Sequence, residues 1–412
     1  MEYAEVLQGI HGRKTFSSTA SLERIRRLME RLGNPQNRVR CVHVAGTNGK
    51  GSTCALVESA LRQAGYRVGL FTSPYLVDFR ERIQINREMI SKELLTACYQ
   101  QVMAAEDELE REGVEAVNEF ELVTALGFTA FAAAEVDYGV IEVGLGGRCD
   151  ATNVISAPAV CCITSISLDQ TGVLGNTVEE IAREKAGILK PGCPAVMAPQ
   201  EPGAEEVIRE TAKGLGCLLI PAASWSRRDD DCHGQRLTLD GVPVSLPLLG
   251  RFQGDNAAAA WSVCRQLGLD AETIRQGFSQ VSWPGRLQYV APGLLIDAGH
   301  NPAGIAALCE ALDRLFPNRR KIAVMSMMRD KDHQGCVPMV AKRCRLLVAT
   351  TVSLPRSLPP EELAREAAPY CSTRTAADTE AGIALARELA GPEDLIVVGG
   401  SVYGAGAALG AL

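Results

Sequence analysis

The stretch Val39-Arg-Cys-Val-His-Val-Ala-Gly-Thr-Asn-Gly-Lys-Gly-Ser-Thr53 decides the fold of the first half of the chain. Its first part, Val39 to Ala45, is mostly apolar and β-prone, which predicts a buried parallel strand. A glycine-rich turn, Gly46 to Thr53, follows directly, and the run from Cys54 to Ala64 has the character of a helix. A strand, a glycine turn and a helix N-terminus in this order predict an anion site.

The residues of the turn make phosphate the favoured anion. Its glycines let backbone N–H groups approach a phosphate, the helix dipole favours the negative charge, and Lys50 adds a cation. The hydroxyl of Ser52 or Thr53 can bind Mg²⁺. The spacing differs from the standard Walker pattern, because Val44 stands at its first glycine and Gly51 separates the lysine from the hydroxyls. The alternative interpretation is a plain glycine turn between a strand and a helix.

The composition is typical of a globular chain with more than one domain. With 412 residues the chain is too long for one ordinary core, so two domains are expected. Hydrophobic residues make up 46% and charged residues 22%, and the net charge of −7 argues against a general nucleic-acid binder. The sequence shows neither a signal-peptide pattern nor an apolar run of membrane-spanning length. We therefore expect a cytoplasmic protein with no nucleic-acid or membrane partner.

The cysteines and histidines do not form a metal-binding pattern. The 14 cysteines are scattered, include no C-x-x-C pair and often lie in apolar segments, as Cys161 and Cys162 do. This pattern predicts free thiols in a reducing compartment rather than disulfides or a zinc site. The five histidines are too dispersed to read as a cluster.

A second candidate feature is a carboxylate at the end of an apolar strand. The run from Asp137 to Val143 predicts a strand with Glu142 near its C-terminal end, and Gly144 to Asp150 follows as a loop. Mg²⁺ beside a nucleotide prefers a hard, anionic oxygen that is held rigidly. Glu142 is therefore a candidate metal ligand, and the alternative is a strand-end glutamate exposed to water.

The polar segment from Ser73 to Arg82 is either a loop over this site or a solvated connector.

Strands and helices alternate along the rest of the chain. Further strands are predicted at 158–166, 194–198, 294–297, 322–327, 346–352 and 395–398. A helix is predicted at Thr177 to Ile188, and the polar segment 222–247, with short β runs, is expected to be an edge excursion. This order predicts an α/β fold: a P-loop-type, mostly parallel sheet at 1–290, covered on both faces, followed by a smaller Rossmann-like α/β domain at 291–412.

With these residues in view, the chain resembles the folylpolyglutamate synthase/dihydrofolate synthase family of the Mur ligase superfamily. The similarity extends almost from end to end. The motifs that carry it are His43 to Thr53, Ser73 to Arg82, Phe120-Glu121, Glu142 to Arg148, Asp150 to Asn153, Glu184 to Ile188, Lys190 to Gly192, Pro284 to Arg286, Asp297, His300 to Pro302, Asp330 to Asp332 and Gly400-Ser401. Each motif alone is weak evidence for the family. Chance does not explain why all of them occur in the family's order.

The resemblance implies an ATP-dependent carbon–nitrogen ligase. The γ-phosphoryl group would pass to a folate carboxylate, and the amine of L-glutamate would attack the acyl phosphate and expel phosphate. A folate acceptor corresponds to folylpolyglutamate synthase activity and a dihydropteroate acceptor to dihydrofolate synthase activity. The implied partners are small molecules only, with ATP and Mg²⁺ at two metal sites, and the family architecture works as a monomer.

The resemblance also implies roles for individual residues. The catalytic residues would be Lys50, Glu142, Lys185 and His300. The nucleotide would be bound by Gly46, Thr47, Asn48, Gly49, Lys50, Gly51, Ser52, Thr53, Asn256, Arg286, Asp297 and His300. The substrate would be bound by Tyr75, Arg80, Phe120, Arg148 and Asp150. The metal ligands would be Ser52, Ser73, Glu142 and Gln170. Lys185 would match the lysine that is carbamylated in this superfamily, and its alternative interpretation is an ordinary helix-surface lysine.

Two positions depart from the family pattern. Gln170 stands where the family usually has a histidine that ligates the second Mg²⁺, and a glutamine carbonyl offers a neutral oxygen instead. Tyr75 replaces a common histidine in the loop after Ser73. These departures motivate a rival hypothesis, a nucleotide-binding regulator that has lost catalysis. A cell-wall Mur ligase is a weaker rival, because the phosphate loop begins at Gly46 and leaves no room ahead of it for the extra domain of those enzymes.

Overall fold

A computed structural model describes residues 1–14, 21–169, 171–291 and 293–412, which form two compact units. The first unit comprises Met1–Pro74, Arg80–Ser224 and Asp255–Phe278. The second unit comprises Tyr75–Phe79, Trp225–Gly254 and Ser279–Leu412. The linear division that the sequence suggests at 290/291 falls inside a strand, Gln288–Ala291, that pairs with a strand of the second unit. Within the described ranges, no helix combines the length and apolar character of a membrane span.

The first unit is built on an eight-stranded sheet with the order β4-β3-β2-β5-β1-β6-β7-β8. Its strands are β1 (Arg40–Ala45), β2 (Val68–Phe71), β3 (Ile83–Ile85), β4 (Glu88–Met89), β5 (Tyr138–Glu142), β6 (Val160–Ile163), β7 (Ala195–Met197) and β8 (Leu219–Pro221). Six of them run parallel, whereas β3 and β4 are antiparallel to their neighbours. The mostly parallel sheet that the sequence predicts is confirmed.

Ten α-helices accompany this sheet in the described part of the chain. They are α1 (Tyr3–His11), α2 (Glu23–Arg31), α3 (Lys50–Gln63), α4 (Lys92–Arg111), α5 (Glu119–Ala133), α6 (Thr171–Leu174), α7 (Val178–Ala186), α8 (Pro202–Gly214), α9 (Phe252–Gln266) and α10 (Ala271–Ser279). Side-chain caps begin several of them: Ser91 accepts the Leu94 N–H at the start of α4, and Asn118 forms a capping box with Glu121 at the start of α5.

The strand register brings the site-bearing loops together. β1 is the central strand, and all its residues after Arg40 are buried. Val44 pairs with Glu142 of β5 on one side and with Cys162 of β6 on the other. Because parallel strands end at the same edge of a sheet, the loops after β1, β5 and β6 meet there.

The second unit contains a six-stranded and a three-stranded sheet. The three-stranded antiparallel sheet is β9 (Trp225–Asp231), β10 (Gly234–Leu239) and β11 (Val242–Leu246). The larger sheet has the order β12-β13-β17-β14-β15-β16 and consists of β12 (Gln288–Ala291), β13 (Leu294–Ile296), β14 (Arg320–Met325), β15 (Leu346–Ala349), β16 (Ser372–Thr375) and β17 (Asp394–Gly399). Its helices are α11 (Pro302–Leu315), α12 (His333–Ala341), α13 (Pro360–Ala367), α14 (Thr379–Leu389) and α15 (Val402–Gly410).

This second unit confirms the predicted α/β character of the C-terminal part. All strands of its large sheet are parallel except β12. The segment 222–247, which we expected to be an edge excursion with short β runs, contains all three strands of the separate antiparallel sheet. Its alternating buried and exposed positions, most regular in β10 and β11, are those of a sheet with one face covered.

A buried ion pair ties the N-terminal layer of the first unit to α4. Both Oε atoms of Glu106 accept from the Arg13 guanidinium, at 2.6 and 2.5 Å, and Glu106 Oε1 also accepts the Val117 N–H at 2.8 Å. The Glu106 side chain is 4% exposed and that of Arg13 is 13% exposed. By contrast, Glu108 of the same helix pairs with Arg31 where both side chains are far more exposed.

We predict that Glu106→Gln lowers the free energy of unfolding by about 3 kcal/mol, because it leaves a buried guanidinium without its counter-charge. The matched variant Glu108→Gln is expected to cost less than about 1 kcal/mol, because that pair is screened by water. Urea unfolding followed by circular dichroism measures both. Equal losses in the two variants would show that the Arg13–Glu106 pair is not a special support of this layer.

Candidate active site

Two glycines of the turn after β1 have no room for a side chain. Gly46 and Gly49 adopt positive φ values of 152° and 85°. A Cβ atom on Gly46 would collide with the Thr164 hydroxyl, and one on Gly49 would collide with the Asn256 side-chain amide. The backbone of the loop is therefore held in a shape that glycine permits. Asn256, which the resemblance assigns to the nucleotide, lies directly against this loop.

The segment after β6 fastens the loop from the other side. Thr47 Oγ1 donates to Ser167 O and accepts the Ser167 N–H, both at 3.1 Å. Thr164 Oγ1 donates to Asn48 O at 2.8 Å, and the Thr47 N–H donates to Ser165 O at 2.8 Å. No local pattern in the sequence marks Thr164, Ser165 or Ser167 as site residues. They follow an apolar strand, and only the order of strands in the sheet shows that this strand end lies beside the glycine turn.

The first turn of α3 offers groups that fit a bound phosphate. Gly49 is the N-cap residue of α3 and makes no side-chain hydrogen bond to the helix. The N–H groups at this helix end are therefore not covered by a capping side chain. Lys50 Nζ donates to Thr47 O at 3.1 Å, which folds the side chain over the loop. Thr53 is fully buried, and its Oγ1 has no hydrogen-bond partner in the described structure. A buried hydroxyl without a partner is costly unless a ligand satisfies it.

Glu142 lies beside this helix end. Its side chain is buried, and its Oε2 accepts the Ser73 N–H at 3.1 Å, which brings two predicted metal ligands together. Burial raises the pKa of the Cys54 thiol, the Glu142 charge raises it further, and Lys50 lowers it. Both charged groups therefore act on the same thiol in the first turns of α3.

The donor set fits Mg²⁺ only in company with a nucleotide. Among the described residues, no group of three or more histidine, cysteine, aspartate or glutamate side chains could hold a metal ion. Mg²⁺ at nucleotide sites uses one or two carboxylates together with phosphate oxygens and waters, and Glu142 with nearby hydroxyls meets that requirement. Gln170, the fourth predicted metal ligand, lies outside the described residues.

Lys185 is buried rather than exposed on its helix. Its residue is 4% exposed, and Nζ donates to Gly46 O at 2.8 Å. Burial and, to a smaller extent, the charge of Lys50 lower its pKa to about 7, against the opposing charges of Asp169 and Asp150. The alternative interpretation of Lys185 as a helix-surface lysine does not describe this environment. Three predicted catalytic side chains, Lys50, Glu142 and Lys185, thus converge on the loop at Gly46 to Thr53.

A buried chain of hydrogen bonds holds Asp150 in place. Thr152 Oγ1 donates to Asp150 Oδ1 at 2.5 Å, so it accepts from His43 Nε2 at 2.9 Å. Asp150 Oδ2 accepts the Leu145 N–H at 2.8 Å, which fixes the loop after β5. Burial raises the pKa of Asp150, and burial lowers that of His43 to about 3, so this histidine is neutral. His43 lies in an apolar strand and Thr152 in a short 3₁₀ helix, and neither was identified as a site residue because its local sequence gives no indication of its partner.

The loop after β5 also docks on the end of α7. The Arg148 N–H donates to Glu184 O, and its guanidinium donates to Glu184 Oε1 at 3.0 and 2.8 Å. Asn153 Nδ2 donates to both Arg148 O and Gly187 O. This docking places Asp150 and Lys185 next to each other.

The predicted substrate residues are distributed over three places. Phe120 packs against Gly144, where a Cβ would meet its ring, so it lies near Arg148 and Asp150 in the loop after β5. Arg80 donates to Ile90 O at 3.4 Å and lies over the Tyr3 ring at 5.8 Å. Tyr75 belongs to the second unit, where its ring contacts Phe79 edge to face.

The remaining predicted nucleotide residues lie in the second unit. Asp297 is buried, and its carboxylate accepts the N–H groups of Leu287 and Gly299 at 2.9 and 2.8 Å. Burial raises its pKa, whereas the charge of Arg286 lowers it. His300 Nδ1 lies 3.1 Å from Ala298 O, so Nδ1 carries the proton that this contact needs. Asp297 thus organises the two loops that carry Arg286 and His300.

Comparison with known proteins identifies the family of this fold and site. Residues 44–264 match the Mur ligase middle domain, and residues 285–402 match the Mur ligase, glutamate ligase domain. The Bacillus subtilis dihydrofolate synthase/folylpolyglutamate synthase is 35% identical over 97% of this chain and 97% of its own length.

Solved structures agree with this assignment. Mycobacterium tuberculosis folylpolyglutamate synthase complexed with ADP and AMPPCP superposes with a TM-score of 0.91 at 35% identity, covering 98% of this chain and 97% of that chain. Escherichia coli FolC in complex with DHPP and ADP gives a TM-score of 0.89 at 30% identity, covering 100% of this chain and 97% of that chain. The chain therefore belongs to the folylpolyglutamate synthase/dihydrofolate synthase family of the Mur ligases, and it is an ATP-dependent carbon–nitrogen ligase.

Proposed function

We propose that this ligase joins L-glutamate to the carboxylate of a reduced folate and also to that of dihydropteroate. The observation that carries the proposal is the convergence of Lys50, Glu142 and Lys185 on the loop at Gly46 to Thr53. The names of the relatives support both acceptors, since the Bacillus subtilis enzyme is a dihydrofolate synthase/folylpolyglutamate synthase. Nothing in the comparisons supports the rival hypothesis of a regulator that has lost catalysis.

In this proposal the loop residues hold ATP. The backbone N–H groups of Gly46 to Thr53 bind the phosphates at the N-terminus of α3, and Lys50 places a positive charge on the transferred group. Asn256 lies against the loop at Gly49 and contributes to the same site. Because phosphoryl transfer requires positioning and charge neutralisation, these residues need no covalent role.

Glu142, Ser52 and Ser73 are the proposed ligands of Mg²⁺, which would neutralise charge on the phosphates when bound. Glu142 keeps its carboxylate at the strand end, where the Ser73 N–H orients one oxygen. Gln170 remains the proposed ligand of a second ion.

Lys185 is the proposed site of carbamylation. Only a neutral amine can attack CO₂, and a pKa of about 7 leaves much of this lysine neutral at neutral pH. The product would be an anionic carboxylate able to support a metal ion. Its neighbours Lys50 and Gly46 O are suited to that anion and to its N–H, respectively.

The other assignments complete the proposal. We assign ATP binding to residues 1–290 and the ligase domain to residues 291–412. Arg286, Asp297 and His300 serve the nucleotide, with His300 also catalytic. Tyr75, Arg80, Phe120, Arg148 and Asp150 border the acceptor. The enzyme works as a cytoplasmic monomer.

The acceptor is tested by a substrate panel in which phosphate release is measured with ATP, L-glutamate and either dihydropteroate or a reduced folate. We expect release with each acceptor and no release when L-glutamate or the acceptor is omitted, because the acyl phosphate needs both. Mass spectrometry should show each product one glutamate heavier than its acceptor. Tight ATP binding with no glutamate addition to either acceptor would contradict the proposal.

Removal of the strand-end carboxylate should stop the chemistry without unfolding the protein. We expect Glu142→Ala to lower kcat by at least about 10²-fold, because phosphate charge is then no longer neutralised at the site. Glu206→Ala on the exposed face of α8 is the matched control and should be unaffected. Activity of Glu142→Ala equal to that of the control, with an unchanged circular dichroism spectrum, would refute the metal assignment.

The state of Lys185 is tested by mass and by rescue. The native peptide should carry the added mass of one CO₂, and Lys185→Ala should lose activity and partly regain it with acetate. Because the amine is protonated below its pKa of about 7, carbamylation should fall as the pH drops through that value. An unmodified native lysine together with no rescue by acetate would remove carbamylation from the mechanism.

A further inference from the structure

Two cysteines, Cys193 and Cys217, lie close together just ahead of the adjacent strands β7 and β8. Ala195 pairs with Leu219, and the Ala195 N–H donates to Leu218 O at 2.9 Å. Three residues earlier, the Gly192 N–H donates to Leu215 O at 3.3 Å. Lys190 O accepts both the Cys193 N–H at 3.1 Å and the Cys217 thiol at 2.9 Å. Because one carbonyl oxygen contacts both residues, Cys193 and Cys217 lie side by side.

The separation of such a pair suits a disulfide. Neighbouring strands lie about 4.8 Å apart, and disulfide-bonded cysteines have Cα atoms about 4.4 to 6.8 Å apart. Cys193 and Cys217 each lie two residues before Ala195 and Leu219, which pair across β7 and β8. The charge of Cys193 acts on the Cys217 thiol, which packs against the apolar cluster that contains Ala195 and the buried Cys161.

Both thiols are reachable, and their surroundings distinguish them. Cys193 and Cys217 are each partly exposed, in contrast to Cys161. Burial raises the pKa of Cys193, whereas the charge of Lys190 lowers it. Burial also raises the pKa of Cys217, whose thiol donates to Lys190 O at 2.9 Å. Cys193 is the better attacking thiol, because the positive charge of Lys190 favours its thiolate. The Cys217 thiol is instead held as a donor to Lys190 O.

We propose that Cys193 and Cys217 form a redox modification site that closes a reversible disulfide between β7 and β8. The oxidant is a small disulfide such as oxidised glutathione. The Cys193 thiolate attacks one of its sulfurs, forming a mixed disulfide and releasing one glutathione thiolate. The Cys217 thiolate then attacks the Cys193 sulfur and releases the second. The protein loses two electrons and two protons, and one oxidised glutathione becomes two reduced molecules.

The disulfide has a mechanical consequence for the sheet. β8 is an edge strand and is held by β7 alone. Cross-linking Cys193 to Cys217 closes the chain segment that contains all of α8, which restricts the unfolded chain. The oxidised protein is therefore expected to melt about 5 °C or more above the reduced protein. This inference does not depend on the acceptor or on the ligase chemistry.

The experiment exposes the reduced, full-length protein to oxidised glutathione and maps its tryptic peptides by mass spectrometry. We expect a Cys193–Cys217 cross-linked peptide, its removal by dithiothreitol, and the increase in Tm. Cys193→Ser and Cys217→Ser should each lose the cross-link and the increase in Tm. Two serine variants keep the test valid if one of them folds poorly.

Cys371→Ser is the matched control. Cys371 is also partly exposed and directly precedes an edge strand, β16, but the register there places Arg345 opposite it. This variant should still form the cross-link and show the increase in Tm. The proposal is overturned if the wild-type protein under native conditions forms no Cys193–Cys217 peptide, or if the increase in Tm persists in Cys193→Ser.

Discussion

The hydrogen bond from the buried Lys185 Nζ to Gly46 O is the contact on which the site depends. Removing a lysine side chain from water is costly, so it stays buried only where acceptors and nearby charges compensate, and burial lowers its pKa. Here the compensation comes from the Gly46 carbonyl and from the charges of Asp150 and Asp169. The contact joins the end of α7 to the loop at Gly46 to Thr53. Together with the charge of Asp150, it couples the positions of this loop, the end of α7 and the loop after β5.

The sheet order makes this convergence possible. β1 lies between β5 and β6, so the loops that follow the three strands end up side by side. Each contributes a different function: the turn after β1 supplies backbone N–H groups and Lys50, β5 supplies Glu142, and the segment after β6 fastens the turn through Thr47 and Thr164. The neutral His43 supports the same edge from within β1, through Thr152 and Asp150.

The features that local patterns encode could be predicted from the sequence, and those that depend on distant partners could not. The strand, glycine turn and helix from Val39 onward follow from an apolar run and from glycines, and Glu142 is recognisable as a carboxylate that ends an apolar strand. The burial of Lys185 was not predictable, because α7 alone presents it as one of several charged residues. The β3–β4 hairpin was missed because its turn, Asn86 and Arg87 with φ values of 51° and 68°, lacks the usual glycine. The polar composition of 222–247 did not indicate that its short β runs pair with each other in a separate sheet.

The most direct test is a crystal structure of the protein with Mg²⁺ and a non-hydrolysable ATP analogue. The geometry of Gly46, Gly49 and α3 predicts that the triphosphate lies on the N–H groups of Gly46 to Thr53, with Lys50 Nζ in contact with it. It also predicts that the metal ion lies between the phosphates and the Glu142 carboxylate. A triphosphate bound elsewhere, with the loop making no contact to it, would contradict the interpretation of the whole site.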